Sequence, residues 1–287
     1  MSAARSVAGI TFANPVLLAS GTAGYGRELV GVMDLEQLGG LVTKAVSLAP
    51  RAGNRAPRVG EFRGGMINSI GLANPGVDAV RATELPWLAE HLRRCRILVN
   101  VVGFTLDEYA EVVRRLDDLD GIAGYELNLS CPNTSAGGVE FGADPTSVDA
   151  VVSRVRAVTT RPLFAKLSPA LADIPAIAAA AHAAGATGIT LVNTMPGFVY
   201  EGTAPRLGNG FGGVSGPALL PTALLAVQRV AARLPGVPLI GVGGIRSTED
   251  ARQFLRAGAS LVAIGTAGLA DPRLPERIAG ELERSGG

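Results

Sequence analysis

The sequence has few of the residues on which disulfide-stabilised folds and metal sites depend. Two cysteines, Cys95 and Cys131, cannot form a disulfide framework, and together with His91 and His182 they show no zinc-ligand spacing. We therefore expect no metal site. Scarce cysteine is typical of a reducing compartment, which indicates a cytoplasmic protein.

Neither sign of charge predominates, since 26 Lys and Arg stand against 25 Asp and Glu. An electrostatic basis for nucleic acid binding is therefore missing, and any anionic ligand must be held locally. The apolar runs are too short for a membrane-spanning helix or a signal-peptide core. The alanine-rich run that ends at Gly185 is instead expected to be a helix with a glycine cap. We expect neither nucleic acid nor membrane as a partner.

Short apolar runs that end in Gly, Asn, Lys or Ser alternate with helical patterns. The strand candidates are residues 16–21, 40–46, 97–103, 124–130, 163–168, 188–194, 239–245 and 261–267, and the clearest helices are 105–119, 147–158, 217–234 and 247–258. Such alternation favours a parallel sheet, and about eight repeats predict an α/β fold, a (β/α)8 TIM barrel, with residues 1–287 as a single domain. A doubly wound sheet is the alternative.

Two connections are longer than the usual barrel loop: residues 47–96 after the second strand and 195–216 after the sixth. Long segments in a compact domain are more often functional than idle. We expect insertions at the C-terminal face of the barrel, where active sites of this fold lie.

Polar residues and glycines recur where the predicted strands end. They are Ser20, Gly21, Lys44, Asn100, Asn128, Lys166, Asn193, Thr194, Gly243, Gly244, Gly265 and Thr266. One strand-end lysine could reach solvent, and one asparagine could cap a helix. Several at equivalent places instead indicate convergence on a polar ligand, because Lys and Asn are rarely buried without partners.

The glycines after the seventh and eighth strands, in "GVGGI" and "AIGTA", suit a phosphate group. Each precedes a helix start, where free N–H groups and the helix dipole favour an anion. Glycines that only make tight strand-to-helix turns are the alternative, but the loops after the seventh and eighth strands are the frequent phosphate site of such barrels. Neither stretch is a dinucleotide fingerprint or a P-loop.

The predicted strand ends carry no histidine and no pair of acids, so histidine-based acid–base chemistry and glycosidase-type hydrolysis lack their usual groups. A phosphate-bearing cofactor that carries the difficult step, near lysines, amides and the loop thiol of Cys131, fits better. The alternatives are a flavin-free lyase or isomerase that uses Lys44 or Lys166 as a Schiff-base nucleophile, and a non-catalytic binding subunit.

Several motifs resemble those of the dihydroorotate dehydrogenases. They are "GGMINSIGLANPGVD" (64–78), "ELNLSCPN" (126–133), "AKLSP" (165–169), "LVNT" (191–194), "GGVSGPAL" (212–219), "GVGGI" (241–245) and "AIGTA" (263–267). The likeness runs over nearly the whole chain and is greatest to the NAD-linked B type of the soluble first class. It implies FMN at the barrel mouth and the oxidation of (S)-dihydroorotate to orotate in pyrimidine biosynthesis.

The resemblance also implies roles for single residues. Cys131 corresponds to the base that removes the C5 proton of dihydroorotate while hydride passes from C6 to flavin N5, on a loop, about 131–142, that acts as a lid. The residues implied in substrate binding are Lys44, Asn68, Ser69, Ile70, Gly71, Leu72, Asn128, Asn133, Asn193 and Thr194. Those implied in FMN binding are Ser20, Gly21, Lys44, Ala45, Asn100, Asn128, Lys166, Val192, Gly216, Gly243, Gly244, Gly265 and Thr266.

B-type relatives pass electrons to NAD through a separate subunit that carries FAD and a 2Fe-2S cluster. The resemblance thus implies a homodimer joined by this subunit in a heterotetramer. An A-type enzyme that reduces fumarate and a dihydropyrimidine dehydrogenase-like enzyme are the nearest alternatives. The membrane-bound second class has a serine as base and an N-terminal helical extension, and Cys131 and the early first strand disfavour it. For Cys95, His91 and His182 we expect structural roles.

Overall fold

Eight parallel strands form a closed ring in the structure, a computed structural model that describes residues 4–130, 132–133 and 139–285. The strands are β1 (Val16–Leu18), β2 (Gly40–Val42), β3 (Arg96–Val101), β4 (Ile122–Asn128), β5 (Leu163–Leu167), β6 (Gly188–Leu191), β7 (Leu239–Val242) and β8 (Leu261–Ile264). Each strand pairs with its neighbour in the chain, and β8 pairs with β1. The predicted TIM barrel is therefore confirmed, and the doubly wound alternative is wrong.

Helices follow the strands along the outside of the ring. They are α1 (Leu85–His91), α2 (Leu106–Leu116), α3 (Pro145–Arg156), α4 (Ile174–Ala183), α5 (Leu220–Arg233), α6 (Thr248–Arg256), α7 (Thr266–Ala270) and α8 (Leu274–Ser285). Side-chain caps start several of them: Thr105 accepts from Glu108 N, and Ser247 accepts from Asp250 N. Among the described residues, no helix has the length and apolar character needed to cross a membrane.

An antiparallel hairpin of Arg5–Val7 and Ile10–Phe12 precedes β1 and was not predicted. Its apolar residues pack against the inward side chains of the barrel, among them Leu98 and Phe164. Arg96 Nε, at the start of β3, donates to Thr11 O at 2.8 Å. The hairpin thus closes the amino-terminal end of the barrel, and the other end is left for the functional site.

The two long connections meet in one antiparallel sheet of four strands. In spatial order these are Met195–Gly197, Gly212–Ser215, Gly65–Asn68 and Val59–Phe62. Gly213 pairs with Asn68, so the insertion after β2 is joined to the insertion after β6. Both insertions follow the carboxyl ends of their barrel strands, as predicted.

Candidate active site

A layer of buried polar side chains lies inside the barrel toward the carboxyl ends of the strands. Strand side chains alternate between two faces. Leu98 and Phe164 face the barrel interior, where they pack against the amino-terminal hairpin. Asn100 lies two residues after Leu98 on β3, and Lys166 lies two residues after Phe164 on β5, so both also face the interior. Glu126 on β4 is paired in register with Asn100, and Thr190 on β6 with Lys166. All four polar residues of this layer are buried.

Glu126 links this layer together. Its Oε1 accepts a hydrogen bond from Asn100 Nδ2 at 2.7 Å and forms an ion pair with Lys166 Nζ at 3.3 Å. The contacts compensate the burial of both charges, which would otherwise cost several kcal/mol each. Glu126 was not among the predicted residues. The sequence "YELNLS" does contain an indication of its role: Glu126 lies two residues before Asn128, and residues two apart on a strand share one face.

Two atoms of the layer have no hydrogen-bond partner within the part of the chain that the structure describes. Among the described residues, the buried side-chain atoms that lack a hydrogen bond are Asn100 Oδ1 and Thr190 Oγ1. An ionised carboxylate is an acceptor only, so Glu126 requires the amide nitrogen of Asn100 on its side and leaves the amide oxygen free. Such atoms are costly in an apolar interior, and they are candidates for hydrogen bonds to a bound ligand.

The predicted asparagines at the ends of β4 and β6 are brought together. Asn193 Nδ2 donates to Asn128 Oδ1 and to Ser130 Oγ, both at 3.1 Å, and Thr194 N donates to Asn193 Oδ1 at 2.8 Å. Tyr109 Oη donates to Asn128 O at 2.6 Å and holds the end of β4. Ser130, the last residue of the strand candidate 124–130, was not among the predicted site residues.

The segment Asn68 to Leu72 reaches the same place from the insertion after β2. Asn68 Nδ2 donates to Gly213 O at 3.2 Å, and a Cβ built on Gly213 would lie 2.0 Å from Thr194 Oγ1. Leu72 adopts a positive φ of 57°, a conformation that is unusual for leucine. The structure thus brings the predicted substrate segment next to Thr194.

Glycines line the opposite side of the mouth. Gly243 and Gly244 follow β7 with φ of 132° and 78°, and Gly265 precedes α7 without a side-chain cap. Thr266 Oγ1 donates to Ser215 Oγ at 2.7 Å, which ties the end of β8 to the residue before Gly216. A Cβ on Gly244 would lie 2.7 Å from Leu220 Cβ, so glycine is needed there.

The remaining predicted residues follow β1, β2 and β6 on the rim. Ser20 and Gly21 lie beside β8, because Ala19 N donates to Ile264 O at 2.9 Å. Lys44 is partly exposed and its N donates to Gly24 O, while Tyr25 Oη donates to Ala45 O at 3.3 Å. Val192 N donates to Val242 O at 2.9 Å.

The two cysteines differ in what the structure says of them. Cys131 lies outside the described residues, as do the side chain of Asn133 and most of the predicted lid. Cys95 is buried before β3, and this burial raises the pKa of its thiol far above the usual range. A thiol of this kind is unreactive, as expected for a structural cysteine.

A closed (β/α)8 barrel with a buried polar layer on one side of its mouth and glycine turns on the other has the architecture of a cofactor-dependent TIM-barrel enzyme. The chain belongs to the dihydroorotate dehydrogenase family, whose pattern it matches over residues 2–285. The resemblance seen in the motifs is therefore confirmed, and with it the predicted enzyme class, an oxidoreductase.

The relatives agree on the family and differ on the electron acceptor. The chain is 48% identical to a protein of Desulforudis audaxviator named dihydroorotate dehydrogenase B (NAD(+)), catalytic subunit, over 98% of this chain and 91% of the relative. A protein of Citrifermentans bemidjiense with the same name is 47% identical over 97% and 91%. A protein of Solibacter usitatus, named putative dihydroorotate dehydrogenase A (fumarate), is 50% identical over the same shares.

Proposed function

We propose that this chain catalyses the FMN-dependent oxidation of (S)-dihydroorotate to orotate in de novo pyrimidine biosynthesis. Its family supports the reaction, and one observation in the structure supports the cofactor: in the polar layer of Asn100, Glu126, Lys166 and Thr190, two buried atoms have no hydrogen-bond partner among the described residues. We further propose that residues 1–287 form one FMN-binding domain.

The residues present fit a flavin. The pyrimidine edge of its ring carries one N–H between two carbonyl oxygens. Asn100 Oδ1 is an acceptor without a partner among the described residues, and Lys166, which shares Glu126 Oε1 with Asn100, supplies a donor. The glycines at the ends of β7 and β8 suit the phosphate. When bound, FMN supplies a two-electron acceptor. The residues proposed to hold it are Ser20, Gly21, Lys44, Ala45, Asn100, Asn128, Lys166, Val192, Gly216, Gly243, Gly244, Gly265 and Thr266.

Amide side chains suit the substrate, whose ring presents carbonyl oxygens and N–H groups and whose carboxylate carries a charge. Asn68, Asn128 and Asn193 lie on three segments that the structure brings together, and Thr194 lies beside them. Together with Lys44, Ser69, Ile70, Gly71, Leu72 and Asn133, they are proposed to bind and orient dihydroorotate. Cys131 is proposed to accept the C5 proton as a thiolate, the basic form of cysteine.

For the electron acceptor we propose NAD, reached through a separate subunit that holds FAD and a 2Fe-2S cluster. The names of the Desulforudis and Citrifermentans relatives support this, since each is called a catalytic subunit. The assembly would be a heterotetramer around a homodimer, in the cytoplasm. Fumarate is the second candidate acceptor, and the Solibacter relative favours it.

The test of this function is anaerobic reduction of the purified protein. We expect a yellow protein with bound FMN, and dihydroorotate should bleach its visible absorption and yield orotate. A protein that takes up no FMN, or whose FMN dihydroorotate does not reduce, contradicts the proposal. Turnover with fumarate and with NAD, measured with and without a co-purified iron–sulfur flavoprotein, separates the two acceptors.

The proposed base is tested by Cys131→Ala, with Cys95→Ala as the matched control. We expect Cys131→Ala to retain FMN and to lose about 10²- to 10⁴-fold in the rate of flavin reduction by dihydroorotate, the usual contribution of a general base. Cys95→Ala should keep that rate per bound flavin, because its thiol is buried away from the mouth. Equal rates in Cys131→Ala and the unchanged protein would refute the assignment.

A further inference from the structure

We propose that Glu126 is a positioning residue that sets the reduction potential of the bound flavin by acting through Lys166 and Asn100. This inference rests on the proposed function, since it requires FMN at the barrel mouth. It adds to that function Glu126, whose side chain lies inside the barrel between Asn100 and Lys166.

The first argument is charge balance. Lys166 and Glu126 are 6% and 1% exposed, and Nζ lies 3.3 Å from Oε1. Water screens such a buried pair little, so each charge acts strongly on its surroundings. As long as Glu126 is ionised, it offsets much of the positive field that Lys166 exerts on a neighbouring cofactor.

The second argument is geometry. Glu126 Oε1 accepts a hydrogen bond from Asn100 Nδ2 at 2.7 Å and thereby determines that the oxygen, not the nitrogen, is the end of that amide left for a cofactor. The same oxygen, Oε1, also accepts from Lys166 Nζ, so one carboxylate oxygen on β4 orients a side chain from each of its two neighbouring strands, β3 and β5. A change at residue 126 should therefore reach the flavin through both neighbours.

The sign of the effect follows from the charges. Reduction adds electrons to the flavin, so a nearby positive charge favours the reduced form and a nearby negative charge disfavours it. Glu126→Gln removes the negative member and leaves the ammonium of Lys166 unopposed. At a fixed solution potential, the ratio of reduced to oxidised flavin should therefore rise.

The experiment measures this ratio by equilibrating the FMN-loaded protein with a reference dye during slow anaerobic reduction, without dihydroorotate. In Glu126→Gln we expect the ratio to rise at least tenfold, which for a two-electron couple is about 30 mV. Glu126→Asp, which keeps the charge, should stay within about threefold of the unchanged protein. Glu90→Gln, an exposed acid on α1, is the matched control and should show no change.

Lys166→Gln and the double variant Glu126→Gln/Lys166→Gln complete the set and remain informative if Glu126→Gln alone does not fold. Lys166→Gln leaves the carboxylate unopposed and should lower the ratio at least tenfold, and the double variant should restore it. A ratio in Glu126→Gln within threefold of the unchanged protein overturns the inference, as does an identical ratio in Lys166→Gln and the double variant. Loss of FMN from every variant at residue 126 also overturns it, because Glu126 would then serve binding.

The two proposals fail in different ways. If the unchanged protein binds no FMN, the proposed function itself fails. If it binds FMN and oxidises dihydroorotate while Glu126→Gln leaves the potential unaltered, only the role of Glu126 fails.

Discussion

At the residue scale, two fully buried threonines on the barrel differ in their hydrogen bonds. Thr43, just after β2, accepts from Asn100 N at 3.2 Å and donates to Lys44 O at 2.9 Å. Thr190 on β6 has an Oγ1 without a partner among the described residues. Replacement by valine, which has nearly the same shape, should therefore change the free energy of unfolding differently at the two positions.

We expect Thr43→Val to lower the free energy of unfolding of the FMN-free protein by about 1–3 kcal/mol, because a buried N–H and a carbonyl lose their partner. Thr190→Val should be neutral or stabilise by up to about 1 kcal/mol, since it removes an unsatisfied hydroxyl. Urea denaturation measures both. Equal losses in the two variants would show that Thr190 Oγ1 is satisfied in solution.

Residues at the predicted strand ends could be found from sequence because Lys and Asn are unusual after apolar runs. Glu126 could not be found in this way, since it lies inside β4 rather than at its end and its partners belong to β3 and β5. Ser130 was missed because serine is common in loops. A polar residue directly after an apolar run can be recognised in one short stretch of sequence. A buried ion pair cannot, because its two residues lie on different strands that meet only in the folded protein.

At the element scale, helix α3 begins at a well-formed cap. Asp144 accepts from Thr146 N and Ser147 N at 3.0 Å each and from Ser147 Oγ at 2.6 Å. The hydroxyl of Ser147, followed by its backbone N–H, holds the pKa of the Asp144 carboxyl below its usual range. The folded state therefore favours the ionised form.

Asp144→Ala should cost about 1 kcal/mol of unfolding free energy at neutral pH, the usual value of such a cap. A carboxyl whose pKa is lower in the folded than in the unfolded state stabilises the fold at pH values above its unfolded pKa, about 3.9. This stabilisation is lost as the pH falls through the pKa of the folded state. The difference from the unchanged protein should thus shrink below about pH 4. Urea unfolding across this range tests it, with exposed Asp149→Ala as control; a cost that does not depend on pH contradicts the argument.

The predicted strand ends differ from those in the structure in a consistent direction. The strand candidates were predicted to run two to four residues too far at several carboxyl ends, for example 188–194 against Gly188–Leu191. In β6, the extra residues lie beyond Leu191, the last residue paired in register with a neighbouring barrel strand, and they include the predicted site residues Asn193 and Thr194. The hairpin before β1 was missed because strands of three residues are too short to show alternation.

At the scale of the whole molecule, the amino-terminal hairpin closes one end of the barrel, and the two insertions lie at the other. Phe12 from the amino-terminal hairpin is fully buried in the cluster that fills the interior. The hairpin is therefore part of the core, although it precedes the repeating units. We expect its removal to destabilise the whole barrel.

Phe12→Ala should lower the unfolding free energy by about 3–5 kcal/mol, the usual cost of truncating a buried phenylalanine. The matched control is Phe211→Ala, at a side chain that is 64% exposed on the insertion after β6, and it should change stability by less than about 0.5 kcal/mol. Urea denaturation measures both. Similar values for the two variants would mean that the hairpin is not packed against the barrel in solution.

The sequence by itself determined the barrel, the polar strand ends and the glycine turns, because alternation, helix periodicity and residue chemistry are local properties. The tertiary structure alone decided which of these residues meet. Asn68 and Gly213 are 145 residues apart in the sequence and are joined in one sheet over the mouth. Glu126 contacts Lys166, which follows it by 40 residues. Such contacts depend on closure of the ring and on the register between strands, and no short stretch of sequence contains either.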